Sequence, residues 1–272
     1  MGGTASRLGD WSEMVWWRSP IPKNVRAVLD ALERLPHGAK KFGGPYGLCR
    51  AFAALVDHTL LRPEVQPDEV RRACEVAARC GFAAMVVNPC YVAAAAGILR
   101  STRVRVASVA GFPLGAARSE LKRLEAERAL EDGAREVDMV IRIGALKAGD
   151  DELVENEIHD LADVCHAREA ILKVILECAL LTDDEKRRGA EAAVRAEADF
   201  VKTSTGFGPG GATAQDVALL RAVVGSDVGV KAAGGIRTLA DAARMLAAGA
   251  SRIGTSSGVA ILDELRLLAE GQ

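Results

Sequence analysis

Aromatic residues are scarce: three Trp, two Tyr and six Phe supply only 4% of a 272-residue chain that is 49% hydrophobic. The core is therefore aliphatic, and the length suits one large domain built around it. Neither sign of charge dominates. Lys plus Arg number 35 against 37 Asp plus Glu, and the net charge of -2 gives no general attraction to nucleic acid or to an anionic membrane. A small-molecule partner is expected instead. The six cysteines (49, 74, 80, 90, 165 and 178) form no CxxC pair, and the four histidines (His37, His58, His159, His166) are scattered. That spacing points to neither a disulfide framework nor a metal site and suits reduced thiols in the cytoplasm. No apolar run reaches the roughly 18 residues of a membrane span. The N-terminus lacks the basic-then-apolar order of a signal peptide, and its MGGTAS start meets the loose myristoylation pattern that Gly- and Ala-rich sequence meets by chance.

What the chain has is rhythm. From about residue 53, short aliphatic runs alternate with longer amphipathic segments, as in LVDHTL then PDEVRRACEVAARCG, or ILKVILECA then TDDEKRRGAEAAVRAEA, giving eight strand–helix units. Near-continuous apolar strands separated by helices imply a parallel sheet covered on its faces. Eight units in roughly 220 residues suit a (β/α)8 TIM barrel better than an open doubly wound sheet. Thr182 before DDE reads as a helix N-cap, and Gly81, Gly133 and Gly249 as helix stops. Residues 51–272 are assigned to the barrel. Residues 1–50 form a short N-terminal extension, with NVRAVLDALERL as a possible helix, HGAKKFGGPYG as a connector, and Trp16 and Trp17 expected to cover the barrel bottom or a subunit contact.

In such a barrel chemistry gathers at the C-terminal ends of the strands. The candidates are Asp57 at the end of strand one, Asn88 at the end of two, Asp138 within four, Lys173 and Glu177 along five, Lys202 in six and Lys231 in seven. An ammonium group in an apolar interior costs several kcal/mol unless it is paired or surrenders its proton. Two on adjacent strands repel. That repulsion lowers the pKa of one and leaves a neutral amine able to attack a carbonyl and form a Schiff base. Lys202 is placed as this nucleophile and Lys231 as the neighbour that keeps it deprotonated. Plainer readings stay open: a strand lysine can face outward or neutralise Glu177, and Asp138 can pair with Arg142 or Lys173. Alternation along EVDMVI turns Asp138 inward and Val137 and Met139 toward the helices. By the same rule His58 points away from Asp57, while Asp57 and Thr59 share a face and, with Asn88, are placed to order substrate hydroxyls. Cys90 and Cys178 have no histidine partner and are not promoted as nucleophiles.

Three consecutive loops, TGFGPGGAT, AAGGIRT and GTSSG, offer bare backbone N–H groups with hydroxyls beside them. Such groups cradle a phosphate without a metal, and in barrels the site commonly follows strands seven and eight. Gly206, Gly234, Gly235, Gly254, Ser256 and Ser257 are the phosphate candidates, with Thr205 as a further substrate contact.

The ordered set LVDHTLL, VVNPCYV, EVDMVI, LKVILE, DFVKTSTGF, VKAAGGIRT and RIGTSSG resembles deoxyribose-phosphate aldolases, class I aldolases with a (β/α)8 barrel, over about residues 50–268. The resemblance implies reversible cleavage of 2-deoxy-D-ribose 5-phosphate to acetaldehyde and D-glyceraldehyde 3-phosphate, with no cofactor. It implies Lys202 as the Schiff-base lysine, Lys231 as the neighbour that lowers its pKa, Asp138 as proton donor and acceptor, and Lys173 in the same pocket. A homodimer is also implied. Another Schiff-base aldolase or transaldolase, or a non-catalytic sugar-phosphate-binding barrel, would use the same features; Pro209, after the lysine motif, is expected to stiffen the loop over the phosphate.

Overall fold

The computed structural model describes residues 23–32 and 37–271. Its eight parallel strands close into a barrel in sequence order. They are β1 Val56–Leu60, β2 Ala84–Val87, β3 Arg105–Ala110, β4 Glu136–Val140, β5 Ile171–Ile175, β6 Phe200–Lys202, β7 Gly229–Ala233 and β8 Arg252–Thr255. The helices are α1 Lys23–Leu32, α2 Pro45–Ala53, α3 Pro67–Cys80, α4 Val92–Leu99, α5 Ser119–Glu131, α6 Ile143–Ala148, α7 Asp151–His166, α8 Asp183–Arg195, α9 Ala214–Val224, α10 Leu239–Ala247 and α11 Gly258–Glu270. This is the (β/α)8 barrel that the alternating pattern predicts. None of the described helices is long and apolar enough to cross a membrane.

Local chemistry sets the boundaries. Thr182 caps α8 in a reciprocal capping box with Glu185, and Gly81 closes α3 in the left-handed conformation that only glycine enters freely. Two elements depart from the expected pattern. The segment after β4 folds as two helices, because Gly149 ends α6 at φ 82° and Asp150 then caps α7. The sequence GGPYG is not merely a connector: Pro45 opens α2, which crosses the residue-50 boundary and buries Leu48 and Phe52 completely. Helix α2 packs on α11 and α1 on α10, so the extension and the barrel share one core. Trp16 and Trp17 lie outside the described residues.

The strand register positions the site. Asp138 lies beside Lys173, and Lys202 beside Lys231, as Cα partners on adjacent strands. Outward-facing residues such as Val137, Met139 and Val201 join the aliphatic core against the helices. Inside, the barrel is divided. Leu61, Ala84, Val86, Ala107 and Val109 form a separate apolar cluster on the β1–β3 side, with Phe112 packed on it. Buried charged residues from β1, β4, β5, β6 and β7 lie inside the barrel as well.

Candidate active site

Inside the barrel Asp57, Glu136, Asp138, Lys173 and Lys231 are completely buried, and Lys202 is 3% exposed. That small exposure matters because, of the three lysines, only Lys202 lines the cavity at the barrel mouth. Asp138 is the hub. Its Oδ2 accepts hydrogen bonds from Lys202 Nζ at 2.8 Å and Lys231 Nζ at 2.7 Å, and its Oδ1 accepts one from Lys173 Nζ at 2.7 Å. Lys173 also reaches Glu136 at 2.6 Å and Asp57 at 3.6 Å, and Lys231 reaches Asp57 at 2.5 Å. Arg252 closes the base of the network on Asp57 at 2.6 Å and Glu136 at 3.5 Å, with its guanidinium over the Phe200 ring.

Three buried lysines and the partly exposed Arg252 therefore meet three carboxylates, leaving one positive charge in excess. Arg105 also touches Glu136 at 3.4 Å, but it is half exposed and water screens its charge. Each cation of the network except Lys202 contacts two or more carboxylates; Lys202 contacts Asp138 alone. It is the group that can leave the network neutral by losing its proton. Burial lowers its pKa to about 8, opposed by Asp138 and assisted by Lys231 and Lys173. The expected repulsion from Lys231 is thus present but ranks below burial. Burial alone would raise the pKa of Asp138, yet the three lysines hold it well below the usual carboxylate range. Burial would lower that of Lys173, and its three carboxylates instead raise it. The network also occupies the carboxylates: among the described residues no group of His, Cys, Asp and Glu is arranged to hold a metal ion.

Several expected residues sit differently from their sequence reading. Asp57 is not at the end of its strand; it is the second residue of β1 and lies under the lysines. Lys173 is likewise below the cavity and held as an ion-pair partner. Glu177 pairs with no lysine: its Oε2 accepts from the Thr205 N–H and hydroxyl. Arg142 turns away from Asp138 toward Ser119 and Glu157. Asn88 donates its amide to the carbonyls of Leu61 and Arg62, bracing the exit of β1. His58 faces the helices and stacks on Phe82, where burial lowers its pKa to about 4. Burial raises the pKa of the Cys178 thiol.

The cavity measures about 630 Å³, a size that suits a small metabolite. Thr59, Thr205, Gly206, Gly234, Gly235, Gly254 and Ser256 line it, while Ser257 does not and its N–H is bound to Thr255 Oγ1. Among the described residues, the N–H groups of Gly206, Gly234, Gly235 and Ser256 have no protein acceptor. Gly254 has a second duty, since a Cβ there would lie 3.0 Å from Lys231 Cε. Four residues escaped the sequence reading. Arg237 and Arg62 line the mouth, and Glu136 and Arg252 complete the network. The only sequence signal for the last two is a charge opening an otherwise apolar strand, which usually marks a solvated strand end.

A closed barrel with a buried lysine of lowered pKa at its cavity, and unpaired backbone N–H groups along the wall, suits an aldolase, and the comparisons agree. The chain belongs to the DeoC/LacD aldolase family, whose model matches residues 52–264. It is 52% identical over 211 residues to the deoxyribose-phosphate aldolase of a Geobacillus species, covering 78% of this chain and 94% of that one. The deoxyribose-phosphate aldolase of Thermococcus kodakarensis is 54% identical over 216 residues, covering 79% and 96%. Among solved structures, the tetrameric deoxyribose phosphate aldolase of Aeropyrum pernix superposes with a TM-score of 0.77 at 35% identity, over 89% of this chain and 97% of that one.

Proposed function

We propose that this aldolase reversibly cleaves 2-deoxy-D-ribose 5-phosphate to acetaldehyde and D-glyceraldehyde 3-phosphate through a Schiff base on Lys202. The observation that carries the reading is the position of the Lys202 amine: it lines the cavity, with its pKa lowered to about 8 and Asp138 at 2.8 Å. The neutral amine attacks the aldehyde carbon of the open-chain sugar, and loss of water leaves a protonated imine. The C3 hydroxyl proton passes through a water to the Asp138–Lys231 pair, which lies below the cavity. The C2–C3 bonding electrons then flow into the imine, releasing glyceraldehyde 3-phosphate and leaving an enamine. The pair returns a proton to C2, and water hydrolyses the resulting imine to acetaldehyde and free lysine. Lys173, beneath them, keeps Asp138 oriented. Thr59 orders the sugar hydroxyls, while Asp57 acts from below by holding Lys231.

The free N–H groups of Gly206, Gly234, Gly235 and Ser256 bind the phosphate at the other end of the substrate, assisted by the N-terminal end of α11, whose first turn carries no acid. Fixing the phosphate fixes the distance from the carbonyl carbon to the amine.

The decisive experiment treats the protein with acetaldehyde and borohydride and maps the adduct. Attachment at Lys202 is expected, and an unmodified protein would favour a sugar-phosphate-binding barrel. Lys202→Ala should abolish turnover and leave phosphate affinity mostly intact; a variant that cleaves the sugar at the normal rate refutes the mechanism. Cleavage of a different phosphorylated aldol in preference to deoxyribose phosphate would point to another Schiff-base aldolase. The homodimer and the cytoplasmic location belong to the same proposal; light scattering of the full chain tests assembly.

A further inference from the structure

At the end of β5 the chain does something the mechanism does not use. The N–H groups of Leu176 and Cys178 bond the consecutive carbonyls of Lys202 and Thr203, and Glu177 between them is forced into a left-handed conformation at φ 57° and ψ 62°. A non-glycine residue held there is strained, and such bulges next to active sites serve to aim a side chain. This one turns the Glu177 carboxyl group, 2% exposed, across to the loop after β6. Oε2 takes both the N–H and the hydroxyl of Thr205, and the Thr205 oxygen in turn accepts from the Phe207 N–H at 3.0 Å. Oε1 is buried and has no hydrogen-bond partner. The loop lies directly on the carboxyl plane, because a Cβ built at Gly208 would stand 2.8 Å from Glu177 Cδ.

The N–H groups on either side of Gly206 are thereby bound, and of the cavity-lining residues in this turn only Gly206 keeps an N–H without an acceptor among the described residues. We infer that Glu177 is a positioning residue for the phosphate end of the substrate, its carboxyl group fixing the Thr205–Gly208 turn so that the Gly206 N–H is presented to the phosphate. The inference rests on the proposed function and adds the element that shapes its anion cradle. A carboxyl group suits the task because one oxygen can accept two donors and, unlike an amide, the group buries no N–H that needs an acceptor. In Glu177→Gln the oxygen still accepts, but an N–H2 group is buried where no acceptor exists. Glu177→Met removes the acceptor altogether.

The test compares wild type, Glu177→Met and Glu177→Gln on 2-deoxyribose 5-phosphate and on unphosphorylated 2-deoxyribose, alongside calorimetric binding of inorganic phosphate. In Glu177→Met the preference for the phosphorylated sugar, read as the ratio of the two kcat/KM values, should fall about tenfold, mostly through KM, which is the cost of losing the charge-assisted hydrogen bond from the Gly206 N–H to the phosphate. Phosphate affinity should fall in parallel, with Glu177→Gln between the two. Equal losses on both sugars, or an unchanged ratio, overturn the inference. Should Glu177→Met fail to fold, Thr205→Val against Thr205→Ser replaces it: only the valine, which lacks the hydroxyl, should lose the preference, and identical behaviour of the two refutes the role. If the wild type cleaves neither sugar, the proposed function is wrong. Phosphate binding by wild type and variant still decides the loop role, with equal affinities overturning it.

Discussion

Replacing Lys231 with methionine should move the pH dependence of the reaction rather than simply abolish it. Lys202 and Lys231 share one oxygen of Asp138 at 2.8 and 2.7 Å, so their nitrogens are at most 5.5 Å apart. Two unit charges at that separation repel by about 3 kcal/mol at an effective dielectric of about 20, equivalent to about two pK units. Removing Lys231 also frees Asp138 to hold the Lys202 proton more tightly, which acts in the same direction. The reactive form is the neutral amine, so a raised pKa carries the rising limb of the kcat/KM profile upward, from about 8 to about 10. The neutral fraction at pH 7 then falls from about one in ten to about one in a thousand, and the rate falls about a hundredfold. Much of this loss should return at high pH. The assay is aldehyde release between pH 6 and 10.5, with the limb midpoint as the readout. A limb that stays in place while the rate falls equally at every pH would refute the tuning role of Lys231 and leave it only a proton carrier.

Arg252→Met leaves three lysines facing three carboxylates but strips Asp57 Oδ1 of its hydrogen-bond donor, and should cost about 1–3 kcal/mol of stability, measured by urea unfolding; no measurable loss would mean that water or rearrangement compensates. Gly234→Ala places a Cβ 3.0 Å from Gly211 Cα at φ 90°. The resulting strain of about 1–3 kcal/mol should weaken inorganic phosphate binding about tenfold or more in calorimetry. Unchanged affinity would remove this turn from the phosphate site.

The barrel was legible because its signal is repeated: eight aliphatic runs, each followed by an amphipathic segment, leave few ways to close a sheet. Lys202, Lys231 and Asp138 were legible because charge in the middle of an apolar strand has a high cost and demands an account. Glu136 and Arg252 carry opposite charges at the first positions of β4 and β8, where solvated residues are ordinary, and only the register of the closed barrel turns them inward together. Glu177 was visible as an acid near a lysine-bearing strand, but its conformation depends on paired bonds to β6 that no local pattern encodes. Ser257 and Asn88 show the opposite error. Both stand at strand exits, yet one is outside the cavity with its N–H bound to Thr255 and the other braces backbone.

The salt link from Arg252 to Asp57 joins the last strand to the first, 195 positions apart. In an unfinished or unfolded chain Lys202 is an ordinary lysine, almost wholly protonated at neutral pH and so far less reactive toward carbonyl compounds. Under the proposed mechanism its nucleophilicity is born with ring closure, so a half-made or misfolded copy would present no activated amine to stray aldehydes.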